Sequence, residues 1–291
     1  MMLDVTPSRR EAATEVHLAL DVIEERVAPI VLVGGGKMGE AIVSGLVHGA
    51  QFDAESIVVA EPSEDRRAYL EEVFGVRCVA DGGSVKNPST CLLAVKPQVL
   101  RDVAAQLVAT DGFRPQRVVS IAAGITTATL EELFGSVAII RVMPNTPLMV
   151  GAGMSAVAVG EHTALSEGEL VRDLFSLMGD AVLLEERLIN AATALSGSGP
   201  AYFARVVRDL AKAGEEEGLD AALALRLVQQ TMAGTARLLD LGGQAPDELV
   251  AAVASPGGTT QAALDSFDTQ GLAQTMRQAV HSAVARAEEL A

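Results

Sequence analysis

Short apolar stretches alternate with longer amphipathic stretches from residue 30 to about residue 186. This alternation is typical of βαβ units, in which helices join the buried strands of a mostly parallel sheet. The predicted strands are Ile30–Val33, Ile57–Ala60, Cys91–Val95, Arg117–Ile121, Ile139–Val142, Met154–Val159 and Ala181–Leu184. The pattern therefore predicts an α/β fold with a doubly wound sheet of the Rossmann type.

The pattern changes after about residue 187, where alanine-rich helical periodicity replaces the strands. The predicted helices are Pro200–Glu217, Ala221–Leu241, Asp247–Val253, Thr259–Phe267 and Leu272–Leu290. So many apolar helices in a short segment favour a homo-oligomer interface over a purely internal core. We predict three parts: an N-terminal extension (1–26), helical or disordered, a dinucleotide-binding Rossmann domain (27–186), and an all-α dimerisation and substrate domain (187–291).

Composition limits the classes of partner. The 291 residues are 49% hydrophobic and 21% charged, as expected of a soluble globular protein. The formal net charge of −16 argues against nucleic acid or anionic membrane as a partner, and no apolar run reaches transmembrane length. Cys78 and Cys91 lie in apolar settings, which predicts reduced thiols in a cytoplasmic protein. The four histidines show no ligand spacing, so we expect no catalytic metal.

A glycine-rich loop follows the first predicted strand and opens a helix. In this context a G-x-G-x-x-G pattern is a dinucleotide fingerprint, since the helix start offers free N–H groups and a positive dipole end to a diphosphate. A turn that binds nothing is the alternative. The residues expected to contact the cofactor are Gly34, Gly35, Gly36, Lys37 and Met38.

The end of the second strand bears on which dinucleotide binds. Glu61 stands where an acidic side chain would accept the ribose hydroxyls of NAD. Ser63, Arg66 and Arg67 follow at once, and a hydroxyl with guanidinium groups suits the 2′-phosphate of NADP. The arginines could also form a solvated first turn of a helix. We predict that NADPH is preferred and that NADH is possible.

Three further segments follow strand ends, where ligands of open α/β sheets bind. Val95, Lys96 and Pro97 come first, and Lys96 could face the cofactor or remain an exposed loop lysine. Ala123 carries little side chain, so the nicotinamide could lie flat on its backbone, although an ordinary tight turn is equally consistent. Asn145 stands between two prolines and could hold a carboxamide, order a water beside the reacting carbon, or brace the loop. We predict that it belongs to the substrate site.

A second glycine turn opens a helix near the C-terminus, from Ser255 to Thr260. Free N–H groups at Gly258 and Thr259 suit a carboxylate, hydroxyls stand at Ser255, Thr259 and Thr260, and a nearby threonine hydroxyl could bond a second substrate atom. Simple N-capping is the alternative. Together with the first glycine loop, this turn predicts two anion sites.

In combination these motifs, with Met143–Pro147 and Ser196–Tyr202, resemble the pyrroline-5-carboxylate reductases, which catalyse the last step of proline synthesis. The resemblance implies reduction of L-1-pyrroline-5-carboxylate to L-proline by hydride transfer from NAD(P)H. It also implies a dimer in which both chains contribute to each active site. Cofactor contacts are implied for Gly34 to Met38, Lys96, Pro97 and Ala123, and substrate contacts for Ser255, Gly258, Thr259 and Thr260. Glu61 departs from the small polar residue often found at its position, which puts the cofactor choice in doubt.

The implied chemistry needs little acid–base catalysis. A cyclic imine can enter already protonated, so the protein has to fix its carboxylate, orient the ring and exclude water, with Thr260 holding the ring nitrogen. One alternative is a β-hydroxyacid dehydrogenase, which needs a lysine and an asparagine on the first long C-terminal helix. The segment from Pro200 to Leu210 contains neither. The other alternative, a non-catalytic dinucleotide-sensing protein, should have lost pocket residues that this chain retains.

Overall fold

The computed structural model describes residues 20–50 and 52–290. Its eight-stranded sheet has the order β3-β2-β1-β4-β5-β6-β7-β8. Strands β1 to β6 pair in parallel, β7 pairs antiparallel to β6, and β8 runs parallel to β7. The strands are β1 Ile30–Val33, β2 Ile57–Ala60, β3 Arg77–Val79, β4 Thr90–Leu93, β5 Arg117–Ser120, β6 Ala138–Met143, β7 Gly153–Val159 and β8 Gly179–Leu183. The predicted α/β fold followed by a helical region is confirmed.

The helices begin with α1, which covers residues 20–27. Those between the strands are α2 Lys37–Ser44, α3 Glu64–Phe74, α4 Pro97–Ala109, α5 Thr127–Phe134 and α6 Leu165–Ser176. Those after the sheet are α7 Ile189–Ala192, α8 Gly199–Glu216, α9 Ala221–Gly242, α10 Pro246–Val253, α11 Thr259–Thr269 and α12 Leu272–Leu290. Among the helices described, none has both the length and the hydropathy of a membrane span.

The central strands are buried on both faces. All residues of β1, β2, β4 and β5 are buried, and alternate residues of β1 belong to two different apolar clusters. A strand covered by helices on both sides needs a nearly continuous apolar run, which is why these strands could be predicted from sequence, although Thr90, Arg117 and Ser120 stand at the ends of β4 and β5. The short edge strand β3 was not predicted, because its residues are exposed or half-buried and form no such run.

The strand order places the ends of several strands along one edge. β1 lies between β2 and β4: the chain runs from β1 to one side through β2 and β3, and then crosses to the other side at β4. Val33, the last residue of β1, pairs with both Ala60 and Leu93. Such a switch point opens a crevice at the carboxyl ends of the strands. The residues that follow β1, β2 and β4 therefore meet at this crevice.

The chain divides into two compact units, Met1–Gly197 with Val284–Ala291, and Ser198–Ala283. Within residues 198–283, all of which the structure describes, the buried hydrophobic side chains are Ala211 and Ala224. Large apolar side chains stay exposed there, among them Phe203, Leu227, Leu238, Leu241 and Val253. A groove of about 590 Å³ along α8 and α9 is lined largely by such side chains. The domain limits predicted from sequence remain a prediction, and most of the predicted N-terminal extension lies outside the described residues.

Candidate active site

The glycine loop after β1 has three positions with different requirements. Gly34 has a φ of +108°, and a Cβ there would lie 2.7 Å from the Ala94 carbonyl oxygen. A Cβ on Gly39 would lie 2.1 Å from the Gly34 carbonyl oxygen, so only glycine allows α2 to approach the loop this closely. A Cβ on Gly36 would meet nothing within 4 Å. The backbone at Gly36 is therefore open to a ligand, as a dinucleotide fingerprint requires.

Helix α2 starts directly above this opening. Gly36 is its N-cap residue and no side chain caps the helix. The first N–H groups of a helix have no acceptor within the helix, so those of Lys37 and Met38 are available to an anion. Lys37 is exposed and Met38 half-buried. This arrangement fits the diphosphate of a dinucleotide.

Glu61 is held beside the loop by two backbone amides. Its carboxylate accepts hydrogen bonds from the N–H of Gly35 at 2.9 Å and from the N–H of Ser63 at 3.0 Å. The Ser63 hydroxyl caps α3, accepting from the Arg66 N–H at 3.4 Å. Glu61 thus stands next to the loop, at the position that meets the adenosine ribose in dinucleotide-binding sheets.

Arg66 lies in the same crevice but is already paired. Its Nε donates to the Gly35 carbonyl oxygen at 2.6 Å, and its Nη2 forms an ion pair with Glu40. The guanidinium carbon lies 4.8 Å from the centre of the Tyr69 ring, and the Tyr69 hydroxyl donates to Glu40 at 2.9 Å. Hydrogen bonding to Arg66 lowers the pKa of Glu40, so this carboxyl stays charged. A 2′-phosphate bound by Arg66 has to compete with Glu40.

Sequence reasoning did not identify Glu40 or Tyr69. A signal for Glu40 exists, since it lies in the first turn of α2, where its charge would repel a bound diphosphate unless a cation neutralised it. Arg67, the other predicted guanidinium, donates from one nitrogen to the carbonyl oxygens of Glu61 and Pro62, each at 2.8 Å. It therefore holds the turn between β2 and α3.

The segment after β4 packs against the glycine loop. A Cβ on Gly34 would lie 3.1 Å from a methyl of Val95, so these two segments are in close contact. Lys96 is the exposed N-cap residue of α4 and Pro97 its first helical residue. Ala123 is exposed in the turn between β5 and α5. Strands β1, β4 and β5 are parallel neighbours, so these positions follow one edge of the sheet.

Asn145 is buried, with 8% of its surface exposed, and its side chain bridges two backbone segments. The side-chain amide donates to the Ser196 carbonyl oxygen at 3.0 Å and accepts from the Met154 N–H at 2.9 Å. These contacts correspond to the bracing of a loop, which was one of the roles considered for Asn145 from the sequence. One amide hydrogen and one lone pair remain for a ligand.

Glu186 joins two other parts of the first unit. Its carboxylate accepts from the N–H of Thr127 at 2.7 Å and from the Thr127 hydroxyl, and it pairs with Arg141 at 3.2 Å. Arg141 lies in β6 and is 4% exposed, while Thr127 begins α5. Sequence reasoning missed this group, because nothing local links positions so far apart in the chain.

The turn before α11, in the second unit, differs from expectation in one respect. The Gly258 N–H is not free, since it donates to the Ser255 carbonyl oxygen at 2.9 Å. Gly258 is the N-cap residue of α11, and no side chain caps this helix. The structure therefore does not show the simple side-chain N-capping that was the alternative role for this turn. The open amides are those at the start of the helix, Thr259 and Thr260. Thr259 is exposed and Thr260 half-buried.

Residues 20–50 and 52–290 contain no group of three or more His, Cys, Asp or Glu side chains placed to hold a metal. Cys78 and Cys91 are free thiols. Burial raises the pKa of Cys78 to about 11 and raises that of Cys91 as well, so both thiols are protonated at neutral pH.

Comparison with known proteins identifies relatives of both regions. Residues 186–290 match the family model for pyrroline-5-carboxylate reductase dimerisation, and residues 29–124 match the one for NADP oxidoreductase, coenzyme F420-dependent. A pyrroline-5-carboxylate reductase from Synechocystis is 40% identical over 260 residues, covering 89% of this chain and 97% of the relative.

Solved structures agree with this result. A pyrroline-5-carboxylate reductase from Coxiella burnetii superimposes with a TM-score of 0.84 at 32% identity, covering 91% of this chain and 99% of the other. The Plasmodium falciparum pyrroline carboxylate reductase, solved with NADP bound, gives a TM-score of 0.79 at 26% identity, with coverages of 91% and 98%.

Proposed function

The chain belongs to the pyrroline-5-carboxylate reductase family, and we infer that it reduces L-1-pyrroline-5-carboxylate to L-proline with a nicotinamide cofactor. One observation carries this inference beyond the family relationship. Two helices, α2 and α11, each start at a glycine N-cap with no side-chain cap. Two open helix starts suit two anions, the cofactor diphosphate and the substrate carboxylate.

On the cofactor side, a bound reduced nicotinamide supplies the hydride. The residues proposed to hold the cofactor are Gly34, Gly35, Gly36, Lys37, Met38, Ser63, Arg66, Val95, Lys96, Pro97 and Ala123. The open backbone at Gly36 and the exposed position of Ala123 support this assignment. Because the protein contributes position rather than reactive groups, its task is to fix the two reactants and exclude water.

On the substrate side, we propose that the turn from Ser255 to Thr260 holds the imine. The N–H groups of Thr259 and Thr260 bind the carboxylate, with Ser255 and the Gly258 backbone shaping the turn. The Thr260 hydroxyl holds the ring nitrogen, which makes it the catalytic residue. Asn145 contributes through its remaining amide hydrogen or lone pair, or by bracing the loop.

We propose that NADPH is preferred and NADH is tolerated. Ser63 and Arg66 lie beside the glycine loop, where a 2′-phosphate would meet them. Two carboxylates oppose this preference: Glu61 next to the loop, and Glu40, which pairs with Arg66. The preference is therefore expected to be modest, because the phosphate gains one guanidinium partly at the expense of an existing ion pair.

We also propose a homodimer, or a larger assembly of dimers, formed through the helical region. The exposed apolar side chains of α8 to α10 and the apolar groove along α8 and α9 support it. A second copy of the chain would remove these surfaces from water.

The free thiols of Cys78 and Cys91 are in keeping with a cytoplasmic location.

A single assay tests the proposed function. Oxidation of NADPH and of NADH is followed by absorbance with pyrroline-5-carboxylate as substrate, and proline is identified as the product. We expect turnover with both cofactors and a higher kcat/KM with NADPH. The absence of imine-dependent oxidation with both cofactors would refute the function, and a clear preference for NADH would refute only the cofactor choice.

Light scattering tests the dimer. An active monomer at micromolar concentration would refute it.

A further inference from the structure

We propose that Glu186 is a positioning residue for hydride transfer, a role that rests on the proposed reductase function. Its carboxylate is the meeting point of three segments of the first unit. One is the start of α5 at Thr127, one is β6 at Arg141, and the third is the chain that carries Glu186 itself.

Each of the first two segments leads to a residue of the proposed site. The turn between β5 and α5 contains Ala123 and ends at Thr127, whose N–H and hydroxyl both bond to Glu186. Strand β6 carries Arg141 and continues into the loop of Asn145. Because Thr127 and Arg141 bond to the same carboxylate, the turn that contains Ala123, which is proposed to contact the nicotinamide, is fixed relative to the loop that contains Asn145.

The charges make this connection rigid. Thr127 and Arg141 are 5% and 4% exposed, and a guanidinium that is so deeply buried needs a charged partner. The carboxylate also satisfies an N–H in the first turn of α5, where a negative charge interacts favourably with the helix dipole. A glutamine at this position can keep the hydrogen bonds, with its amide nitrogen donating to the Thr127 hydroxyl, but it removes the negative charge that balances the buried Arg141.

The protein contains a matched ion pair that serves as a control. Arg117 pairs with Glu167 at 2.7 Å, and the side-chain exposures of 5% and 26% are close to the 4% and 27% of Arg141 and Glu186. Arg117 begins β5 and also donates to the carbonyl oxygen of Arg26. This pair lies at the opposite end of β5 from the Ala123 turn, so breaking it should affect stability alone.

The test compares Glu186→Gln with Glu167→Gln in the full-length protein, with the wild type in the same assays. We expect both variants to unfold at lower urea concentration. Only Glu186→Gln should lose kcat, by about ten-fold or more, because misplacement of the reacting groups by a fraction of an ångström slows hydride transfer steeply. Its KM for NADPH should change little, since the Gly34 loop holds the diphosphate.

A binding measurement gives a second readout that does not depend on turnover. The protein has no tryptophan, so the fluorescence of bound NADPH reports the nicotinamide environment without interference. Glu186→Gln should alter the emission of bound NADPH while its titration midpoint stays near that of the wild type. Glu167→Gln should change neither.

Thr127→Val keeps the ion pair and removes only the hydroxyl bond to Glu186, so it tests the proposal even where Glu186→Gln fails to fold. We expect a smaller loss of kcat, about three-fold, with the same change in emission. Equal kcat values for the Glu186 and Glu167 variants, or wild-type kcat and emission in Thr127→Val, would overturn the proposal. A wild type without imine reduction would instead refute the proposed function.

Discussion

Replacing Thr260 by valine tests the substrate side of the proposed site with the least structural change. Valine keeps the β-branched shape and removes only the hydroxyl. Thr260 is the second residue of α11, and this helix start carries no side-chain cap. Threonine and valine have similar helix propensities, so we expect the free energy of unfolding to change by less than about 0.5 kcal/mol.

The effect on catalysis should be much larger. Thr260 is half-buried, so water competes only partly for the hydrogen bond that its hydroxyl oxygen accepts from the charged ring N–H. Hydrogen bonds to charged groups contribute about 1.5 to 3 kcal/mol. Their loss corresponds to a roughly ten- to hundred-fold fall in kcat/KM for the imine. The affinity for NADPH should hardly change, because its diphosphate is assigned to the Gly34 loop.

Steady-state kinetics with pyrroline-5-carboxylate, and a separate titration of NADPH, measure both quantities. Thr269→Val is the matched control, since its hydroxyl donates to the Asp265 carbonyl oxygen near the other end of the same helix. It should keep wild-type kinetics. If Thr260→Val keeps full turnover, or if NADPH binding weakens as much as catalysis, Thr260 does not hold the ring nitrogen and the substrate site is wrongly assigned.

Three further substitutions and one measurement of thiol reactivity test other parts of the structure. Glu61→Ser removes a negative charge near the proposed 2′-phosphate and should raise the ratio of kcat/KM for NADPH to that for NADH by about ten-fold, whereas an unchanged ratio would count against a role for Glu61 in cofactor choice. Because Arg66 lowers the pKa of Glu40, that ion pair stabilises the fold above pH 4.5 and the stabilisation is lost as the pH falls further. The difference in Tm between wild type and Glu40→Gln should therefore become smaller below pH 4.5. A difference that stays constant down to roughly pH 3 would contradict this. Asn145→Ala leaves two backbone groups without their partner and should cost about 2 to 4 kcal/mol in urea unfolding, whereas lost activity at unchanged stability would indicate a direct substrate contact instead. The raised pKa of Cys78, about 11, predicts slow reaction of the native thiol with a disulfide reagent at neutral pH, and equally fast reaction of native and unfolded protein would refute it.

The sequence by itself was sufficient for features whose cause is local. The strands β1, β2, β4 and β5 could be predicted because strands covered on both faces need nearly continuous apolar runs. The glycine loop could be predicted because the φ of +108° at Gly34 and the close approach at Gly39 exclude a side chain. The helix start at Thr259 was likewise predicted from its glycine turn. Each of these signals lies within a few consecutive residues.

Only the tertiary structure decided which partners the polar side chains take. Arg66 pairs with Glu40, 26 positions away, Arg141 with Glu186, 45 positions away, and Asn145 bonds to Ser196, 51 positions away. Sequence patterns report which residues are buried and where the backbone turns, but they contain no distances between remote positions. A polar side chain chooses its partner from the groups that folding brings within about 3 Å, so its role is settled only when the sheet and its loops have packed.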